Sequence, residues 1–206
     1  MSLEVLQQPA WQVAPLLLGA ILTVDSAEGS VTLRLTEVEA YHGAEDPGSH
    51  AYRGRTARNA VMFGPPGHLY TYFTYGMHTC ANVVCMPEGT ASGCLLRAAE
   101  VVDGLELARS RRSSSRSDDD LARGPARLTV AAGITLGDGG ADLASSRIRL
   151  QLPAEPADCL SGPRTGVSGP GGEERYPWRF WIPGERSVSP YRRAVPRRRA
   201  AQGSGE

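Results

Sequence analysis

Lysine is absent from this sequence of 206 residues, and all 22 basic side chains are arginines. Without a lysine amine the chain cannot form a lysine Schiff base, which leaves the N-terminal amine as the one amine for covalent catalysis. The 22 acidic residues balance the arginines, so the formal net charge is zero. A polyanionic partner must therefore meet a local arginine face, because the whole molecule offers no positive field.

Cysteine is scarce, and its spacing excludes several kinds of site. The four cysteines are Cys80, Cys85, Cys94 and Cys159, with no C-x-x-C pair among them. This spacing is not that of a zinc site or of a small disulfide-bonded scaffold. The sequence also contains no G-x-S-x-G and no H-E-x-x-H, which argues against a serine hydrolase elbow and a zincin helix. We expect four core thiols in a reducing compartment.

Long hydrophobic runs are missing as well. The apolar stretch at residues 14–22 is too short to span a bilayer and lacks the charged flank and cleavage site of a signal peptide. An apolar fraction of 41% is enough for one domain with a full core. We therefore predict a single domain over residues 1–191 and a basic, disordered tail over residues 192–206, in a monomeric cytoplasmic protein without membrane association.

The hydrophobic patterning predicts a mixture of strands and helices. Helical spacing covers residues 9–22 and 101–112, and Pro125 opens a short helix. Residues 42–66 show little periodicity and are interpreted as a long functional loop, and residues 109–120 as a serine-rich surface loop. The predicted strands cover residues 31–41, 68–86, 93–99, 148–152 and 178–182.

Two acids near the end of the first strand are the first candidate site. Glu37 and Glu39 are two residues apart, so they project to one face, with Tyr41 next in the same row. Acids on a largely apolar strand are costly unless they are solvated, paired or used. A structural ion-pair network and a functional carboxylate both remain open. The arginines of the following loop are the predicted partners for such a network: Arg53, Arg55 and Arg58.

A metal site is the second interpretation of this segment. His42, Asp46 and His50 follow Glu39 closely in the sequence. Their spacing matches neither a zincin motif nor an EF-hand, and no cysteine is placed to help. We predict no metal and no cofactor; a metal hydrolase would instead lose its activity in EDTA.

Tyrosines form a second constellation. Tyr70 and Tyr72 share one strand face, Tyr75 stands beside Gly76 at a predicted hairpin tip, and Asn82 follows. Core packing is the ordinary role of a strand tyrosine. Aromatic rings near a carboxylate are also what an enzyme needs to hold an extruded base and hydrolyse its bond to sugar, and a tip ring can fill the vacated stack. Both interpretations remain open.

The motifs in this region resemble a known family. The segment TEVEAYHGAEDPGSHAYRGRTARNAVMFGPPGHLYTYFTYGMHTCANVVCMPEG is followed by CLLRAAE, ARGPARL and PWRFWIPG. Their order and spacing resemble the alkyladenine (3-methyladenine) DNA glycosylases of the mammalian type, from LLLGAIL to about Ser189. With the patterning above, the resemblance implies an α+β fold: a single domain with a curved, mostly antiparallel β-sheet and flanking helices.

The resemblance also implies roles for single residues. Glu39 matches the catalytic acid that holds and deprotonates the attacking water, with Arg97 and the backbone carbonyl of Thr165 beside that water. Asn82 matches the pocket floor that screens purines by the group at C2, and Tyr75 matches the side chain inserted into the vacated stack. Aromatic rings that sandwich the flipped base are matched by Tyr41, His50 and Tyr72. Candidate DNA contacts are Met77, Arg53, Arg55, Arg58 and Arg127.

The implied function is base excision repair in a bacterial cytoplasm, at the nucleoid. The enzyme would flip alkylated or otherwise damaged purines out of double-stranded DNA and hydrolyse the N-glycosidic bond. Because no lysine is present, we predict a monofunctional enzyme that leaves an abasic site. A non-catalytic DNA-damage-binding module is the alternative. Two features depart from the family pattern. The segment of residues 86–93, beside Asn82, is slightly longer than in the mammalian relatives, which affects the expected lesion preference. In the first strand, Val38 replaces the usual threonine between the two acids.

Overall fold

The computed structural model of the protein describes residues 2–74 and 76–194. Within them it has three α-helices and eight β-strands. The helices are α1 (Ala10–Leu17), α2 (Leu105–Arg111) and α3 (Pro125–Ala132). The strands are β1 (Ile21–Ser26), β2 (Gly29–His42), β3 (Leu69–Thr74), β4 (His78–Val84), β5 (Ser92–Asp103), β6 (Ile148–Gln151), β7 (Leu160–Gly162) and β8 (Arg179–Trp181).

One antiparallel sheet organises the domain, in the order β3-β4-β5-β2-β1-β6. The long strand β2 pairs with β5 along one edge. Its other edge pairs first with β1 and then with β8, which also pairs with β7. This arrangement confirms the predicted α+β class with a curved antiparallel sheet and flanking helices.

The main core lies between the sheet and the helices. Helix α1 buries Ala10, Val13, Ala14 and Leu17, which follow the i, i+3, i+4, i+7 spacing of an amphipathic helix. Helix α3 begins at Pro125 as predicted, because proline fits the first helical position, and it ends before Gly133 at φ 75°. None of the helices among the described residues is long and apolar enough to cross a membrane.

Two helix predictions were wrong in their bounds. The helix predicted over residues 9–22 ends at Leu17, and β1 begins at Ile21, where its residues pair with β2. The helix predicted from Val101 begins at Leu105, because Val101 and Asp103 still pair with β2. Gly104 makes this transition at φ 73°, with its backbone packed against Ser30. In both cases long-range strand pairing overrides local helical spacing.

The other element predictions have mixed outcomes. The loop predicted over residues 42–66 is present from residue 43, since His42 still belongs to β2, and it contains short 3-10 turns at Gly43–Glu45 and Ala60–Phe63. The β region over residues 68–86 is the β3–β4 hairpin. Strand β7 was not predicted, and it is only three residues long.

The expectation of four core thiols was wrong for one of them. Cys80, Cys85 and Cys94 are buried on β4, just after it and on β5, whereas Cys159 is exposed. Cys159 directly precedes β7, whose own residues are largely exposed. A position beside a short edge strand therefore leaves its thiol in solvent.

The C-terminal segment packs on the domain as far as it is described. The Gly166 amide donates to the Arg192 carbonyl at 2.8 Å. Compact structure therefore reaches the first residue of the predicted tail. Residues 195–206 lie outside the described part, and their disorder stays a prediction.

Candidate active site

A pocket of about 360 Å³ opens beside the centre of the sheet. Strand β2, the β3–β4 hairpin, the loop after β2 and the loop after β7 surround it. It is lined by Tyr41, Pro47, Gly48, His50, Met62, Tyr70, Tyr72, Thr74, Cys80, Asn82, Leu95, Arg97, Pro125, Thr165, Gly166, Val167 and Ser168.

An irregularity in the β2–β5 ladder directs Arg97 toward the acids of β2. Glu37 pairs with Ala98 and Val38 pairs with Leu96, so Arg97 has no partner in the register. A bulge of this kind re-aims a side chain. The Arg97 guanidinium consequently donates to Glu37 at 2.9 Å and to Glu39 at 3.3 Å.

Glu39 is fully buried directly behind the pocket wall. The Tyr41 hydroxyl and Arg97 Nη1 donate to its Oε2 atom at 2.8 and 3.3 Å, and the Thr165 amide donates to Oε1 at 2.6 Å. These three donor residues line the pocket, whereas Glu39 itself is not among the lining residues. The carboxylate therefore faces the pocket through a layer of hydrogen-bond donors, and Oε1 keeps one lone pair free of the partners described.

Glu37 belongs to an ion-pair network on the same side of the sheet. Arg97 and Arg179 donate to its carboxylate at 2.9 and 2.6 Å, and the Ser189 amide donates at 2.7 Å. Burial alone would raise the pKa of Glu37, but the two arginines and Ser189 outweigh it and hold that pKa below its ordinary value. The predicted network exists, and its arginines come from β5 and β8.

The arginines predicted to pair with Glu37 and Glu39 are not their partners in the structure. Arg53, Arg55 and Arg58 are exposed, and within the described chain they form no ion pair with Glu37 or Glu39. Sequence proximity suggested them, but the sheet register places Arg97 and Arg179 opposite β2 instead.

Aromatic side chains form one wall of the pocket. The Tyr70 and Tyr72 rings stack with centroids 5.6 Å apart, and His50 meets Tyr72 edge-on at 4.5 Å. The His50 Nδ1 atom lies 3.3 Å from the Tyr70 hydroxyl. Burial raises the pKa of both Tyr72 and Tyr41, so these phenols stay neutral. The wall therefore presents neutral, electron-rich rings.

Asn82 lies at the base of this wall. It pairs with Tyr70 across the hairpin, and its Nδ2 atom donates to the Tyr70 carbonyl at 3.1 Å. This bond fixes the side-chain amide in one orientation in a nearly buried position, 5% exposed. The floor thus offers a polar group of fixed direction.

Arg164 and Asp46 form a buried pair that sequence reasoning did not find. Both side chains are 0% exposed, and Arg164 Nη1 and Nη2 donate to the two carboxylate oxygens at 2.6 Å. A Cβ atom on Gly48 would lie 2.5 Å from Arg164 Nη2, so the loop approaches the arginine too closely for any other residue. The signal in the sequence was a lone loop aspartate, considered only as a metal ligand.

The metal interpretation of the same loop finds no support in the geometry. The carboxylate of Asp46 accepts from Arg164 and from the backbone amides of His42 and Gly48. Among the described residues, no three His, Cys, Asp or Glu side chains are grouped as a metal site. Asp46 is thus held as the counter-ion of an arginine.

The candidate DNA-contacting residues differ in whether their side chains already form ion pairs within the protein. Within residues 2–74 and 76–194, no acid pairs with Arg53, Arg55 or Arg58, whereas Arg127 forms an ion pair with Asp120. Met77 is 69% exposed at the β3–β4 turn. Tyr75 lies outside the described residues.

Arg58 is close enough to influence the titration of His50. Burial lowers the pKa of His50 below its ordinary value, and the positive charge of Arg58 lowers it further. We expect Arg58→Ala to raise the His50 pKa, measured by NMR from the imidazole Cε1 proton. Arg53→Ala, in the same exposed loop, serves as the control and should leave the pKa unchanged. An equal rise in both variants would contradict a specific effect of Arg58.

A family profile and individual relatives both match this chain, and their descriptions agree. The sequence profile of the family described as Methylpurine-DNA glycosylase (MPG) matches residues 4–186. A protein of Leifsonia xyli subsp. xyli is 62% identical over 187 residues, 88% of each chain. One of Streptomyces avermitilis is 54% identical over 201 residues, 95% of this chain and 93% of its own. Both are named provisionally as 3-methyladenine DNA glycosylases.

Proposed function

Because this chain belongs to the methylpurine-DNA glycosylase family, we propose that it removes alkylated or otherwise damaged purines from double-stranded DNA in base excision repair. The observation that carries the proposal is the position of Glu39. Three residues that line a pocket with aromatic walls also donate to its carboxylate. A carboxylate beside such a pocket fits hydrolysis of the bond between a base and its sugar.

The pocket suits a purine that has left the helix. Tyr41, His50 and Tyr72 offer the ring faces that would grip it, with Asn82 as the floor. Alkylation at N3 or N7 gives the base of the deoxynucleoside a positive charge. Such a base is attracted to electron-rich rings and is also a better leaving group. The aromatic pocket thus favours the damaged purine over a normal one.

Glu39 would act on the attacking water. As the bond from C1′ to the base nitrogen breaks, its electron pair leaves with the base and the sugar gains oxocarbenium character. The nearby carboxylate stabilises this charge and takes a proton from the water whose oxygen bonds to C1′. The free lone pair on Oε1, beside the Thr165 amide, is where that water would bind.

Thr165 has a further feature that fits this role. Its Oγ1 atom is the one buried side-chain polar atom without a hydrogen-bond partner in the described part of the chain. Arg97, also in the pocket wall, fixes the other carboxylate oxygen. Glu39 would therefore be held by Arg97 and Tyr41 on one oxygen while Thr165 and the water share the other.

DNA would approach on the side of the arginine loop. Arg53, Arg55 and Arg58 are exposed and form no ion pair within the described residues, so their contacts to phosphates need no ion pair to break. Arg127 must first give up Asp120, which makes it a weaker candidate. Tyr75 stays the residue proposed for insertion into the vacated stack, and Met77 stays a proposed DNA contact.

The enzyme should be monofunctional. Strand cleavage by a glycosylase usually follows attack by a lysine amine, and this sequence contains no lysine. With a duplex that contains one methylated purine, we expect base release without nicking, and full cleavage only after alkali or an added lyase. A denaturing gel measures both. Nicked product in the untreated reaction would contradict the prediction.

A further inference from the structure

The Tyr41 ring is in contact with a buried arginine, Arg164, that does not line the pocket. The Arg164 Cζ atom lies 4.5 Å from the centroid of the Tyr41 ring. Arg164 is fully buried and is not among the pocket-lining residues, whereas Tyr41 is. A guanidinium therefore stacks on one side of the ring, and the pocket lies on another.

All the donors of this guanidinium are occupied. Besides its two bonds to Asp46, Arg164 donates to the Ala40 carbonyl at 2.9 Å and to the Gly171 carbonyl at 2.6 and 3.2 Å. Asp46 supplies the one formal negative charge in this set, and it does so with both oxygens. The Asp46 carboxylate thus balances the charge of the guanidinium behind Tyr41.

This balance matters for a ligand that carries a charge. A cation on one face of an aromatic ring withdraws the electron density that would attract a second cation on the other face. Neither buried side chain is screened by water, so an unbalanced charge would be felt in the pocket. A neutral base would be nearly indifferent to it.

We propose that Asp46 sets the charge preference of the base pocket by neutralising Arg164 behind Tyr41, so that a cationic alkylated purine is accepted. The inference rests on the proposed function, since it takes Tyr41 as a wall of the base site. At the effective dielectric of a protein interior, a unit charge within about 10 Å of a cationic base changes its binding by about tenfold or more. Removing the carboxylate charge should therefore change selectivity between lesions.

The test compares two lesions in a protein that cannot release them. In a Glu39→Gln background, fluorescence anisotropy gives the Kd for duplexes with one 7-methylguanine, which is cationic, or one hypoxanthine, which is neutral. Adding Asp46→Asn keeps the size of the side chain and removes its charge. We expect the preference for 7-methylguanine over hypoxanthine to fall about tenfold.

Two further variants separate charge from shape. Asp25→Asn breaks the ion pair with Arg149, which joins β1 and β6 at the opposite edge of the sheet from β3, and it should leave the preference unchanged. Replacing both partners, with Asp46→Asn and Arg164→Met, removes both charges and should restore the preference to that of the parent or above it. If Asp46→Asn does not fold, this double variant decides alone.

Three results would overturn the inference. If the preference for 7-methylguanine in Asp46→Asn stayed within twofold of the parent, the charge of Asp46 would not set it. If the double variant, which has neither charge, lost that preference tenfold, the shape of the side chains would be the cause. If the parent bound neither lesion duplex more tightly than undamaged DNA, the proposed function would fail, and the base site on which the inference rests would fail with it.

Discussion

Glu39→Gln should abolish purine release from methylated duplex DNA while DNA binding survives. General acid–base catalysis contributes typically 10² to 10⁴-fold, so we expect the single-turnover rate to fall by about three orders of magnitude. The amide keeps the shape of the side chain and can still accept hydrogen bonds, but it cannot take a proton from water. Chromatography of the released base measures the rate, and anisotropy measures the binding.

This experiment also separates an enzyme from a binding module. Glu39 is fully buried, and both of its oxygens accept hydrogen bonds, so it could also be a structural group behind a damage-recognition pocket. Glu100→Gln is the matched control, because Glu100 is a half-exposed acid paired with Arg34. Unchanged release in Glu39→Gln would refute the mechanism, and absence of release by the wild-type protein would favour the binding module.

Glu37→Ala should destabilise the fold by about 3–5 kcal/mol, because it leaves a buried cluster of positive charge without its acid. Arg97 and Arg179, only 8% and 7% exposed, both pair with Glu37. Chemical unfolding measures the loss in free energy. Glu100→Ala is again the control, and at a half-exposed pair it should cost no more than about 1 kcal/mol. Similar losses in the two variants would contradict a special role for Glu37.

The pH dependence of stability gives this prediction a second measurement. The pKa of Glu37 in the folded protein lies below its ordinary value of 4.5. Its contribution is therefore complete above that value and is lost as the pH falls through the folded pKa. Unfolding curves of the wild-type protein should show this loss in acid. In Glu37→Ala the same part of the curve should be flatter.

Part of the site follows from local patterns in the sequence. Alternation along a strand places Glu37, Glu39 and Tyr41 in one row, and the same rule places Tyr70 beside Tyr72. Such rules work because the side-chain period of a strand is set by its own backbone. They fail where another strand competes, as at Ile21, where a helical pattern gives way to pairing with β2.

Local patterns in the sequence could not identify which arginines pair with the buried acids. Nearby arginines in the sequence were expected to meet the acids, yet Arg97 does so from 60 residues away from Glu37. The bulge that directs it arises from the register between β2 and β5, and no local feature predicts that register. Arg164 and Asp46 are 118 residues apart, and the sequence around either residue gives no indication that the two form a pair.

By itself, the sequence determined the chemistry available to this protein: no lysine amine, no metal-ligand motif, paired acids on one strand and tyrosines on another. These properties depend on composition and on the period of a single strand. The tertiary structure decided which charges meet, that Glu39 lies behind the pocket wall, and that a neutralised guanidinium lies behind Tyr41. Those outcomes depend on contacts between distant segments, whose alignment is fixed only when the whole sheet and its loops pack together.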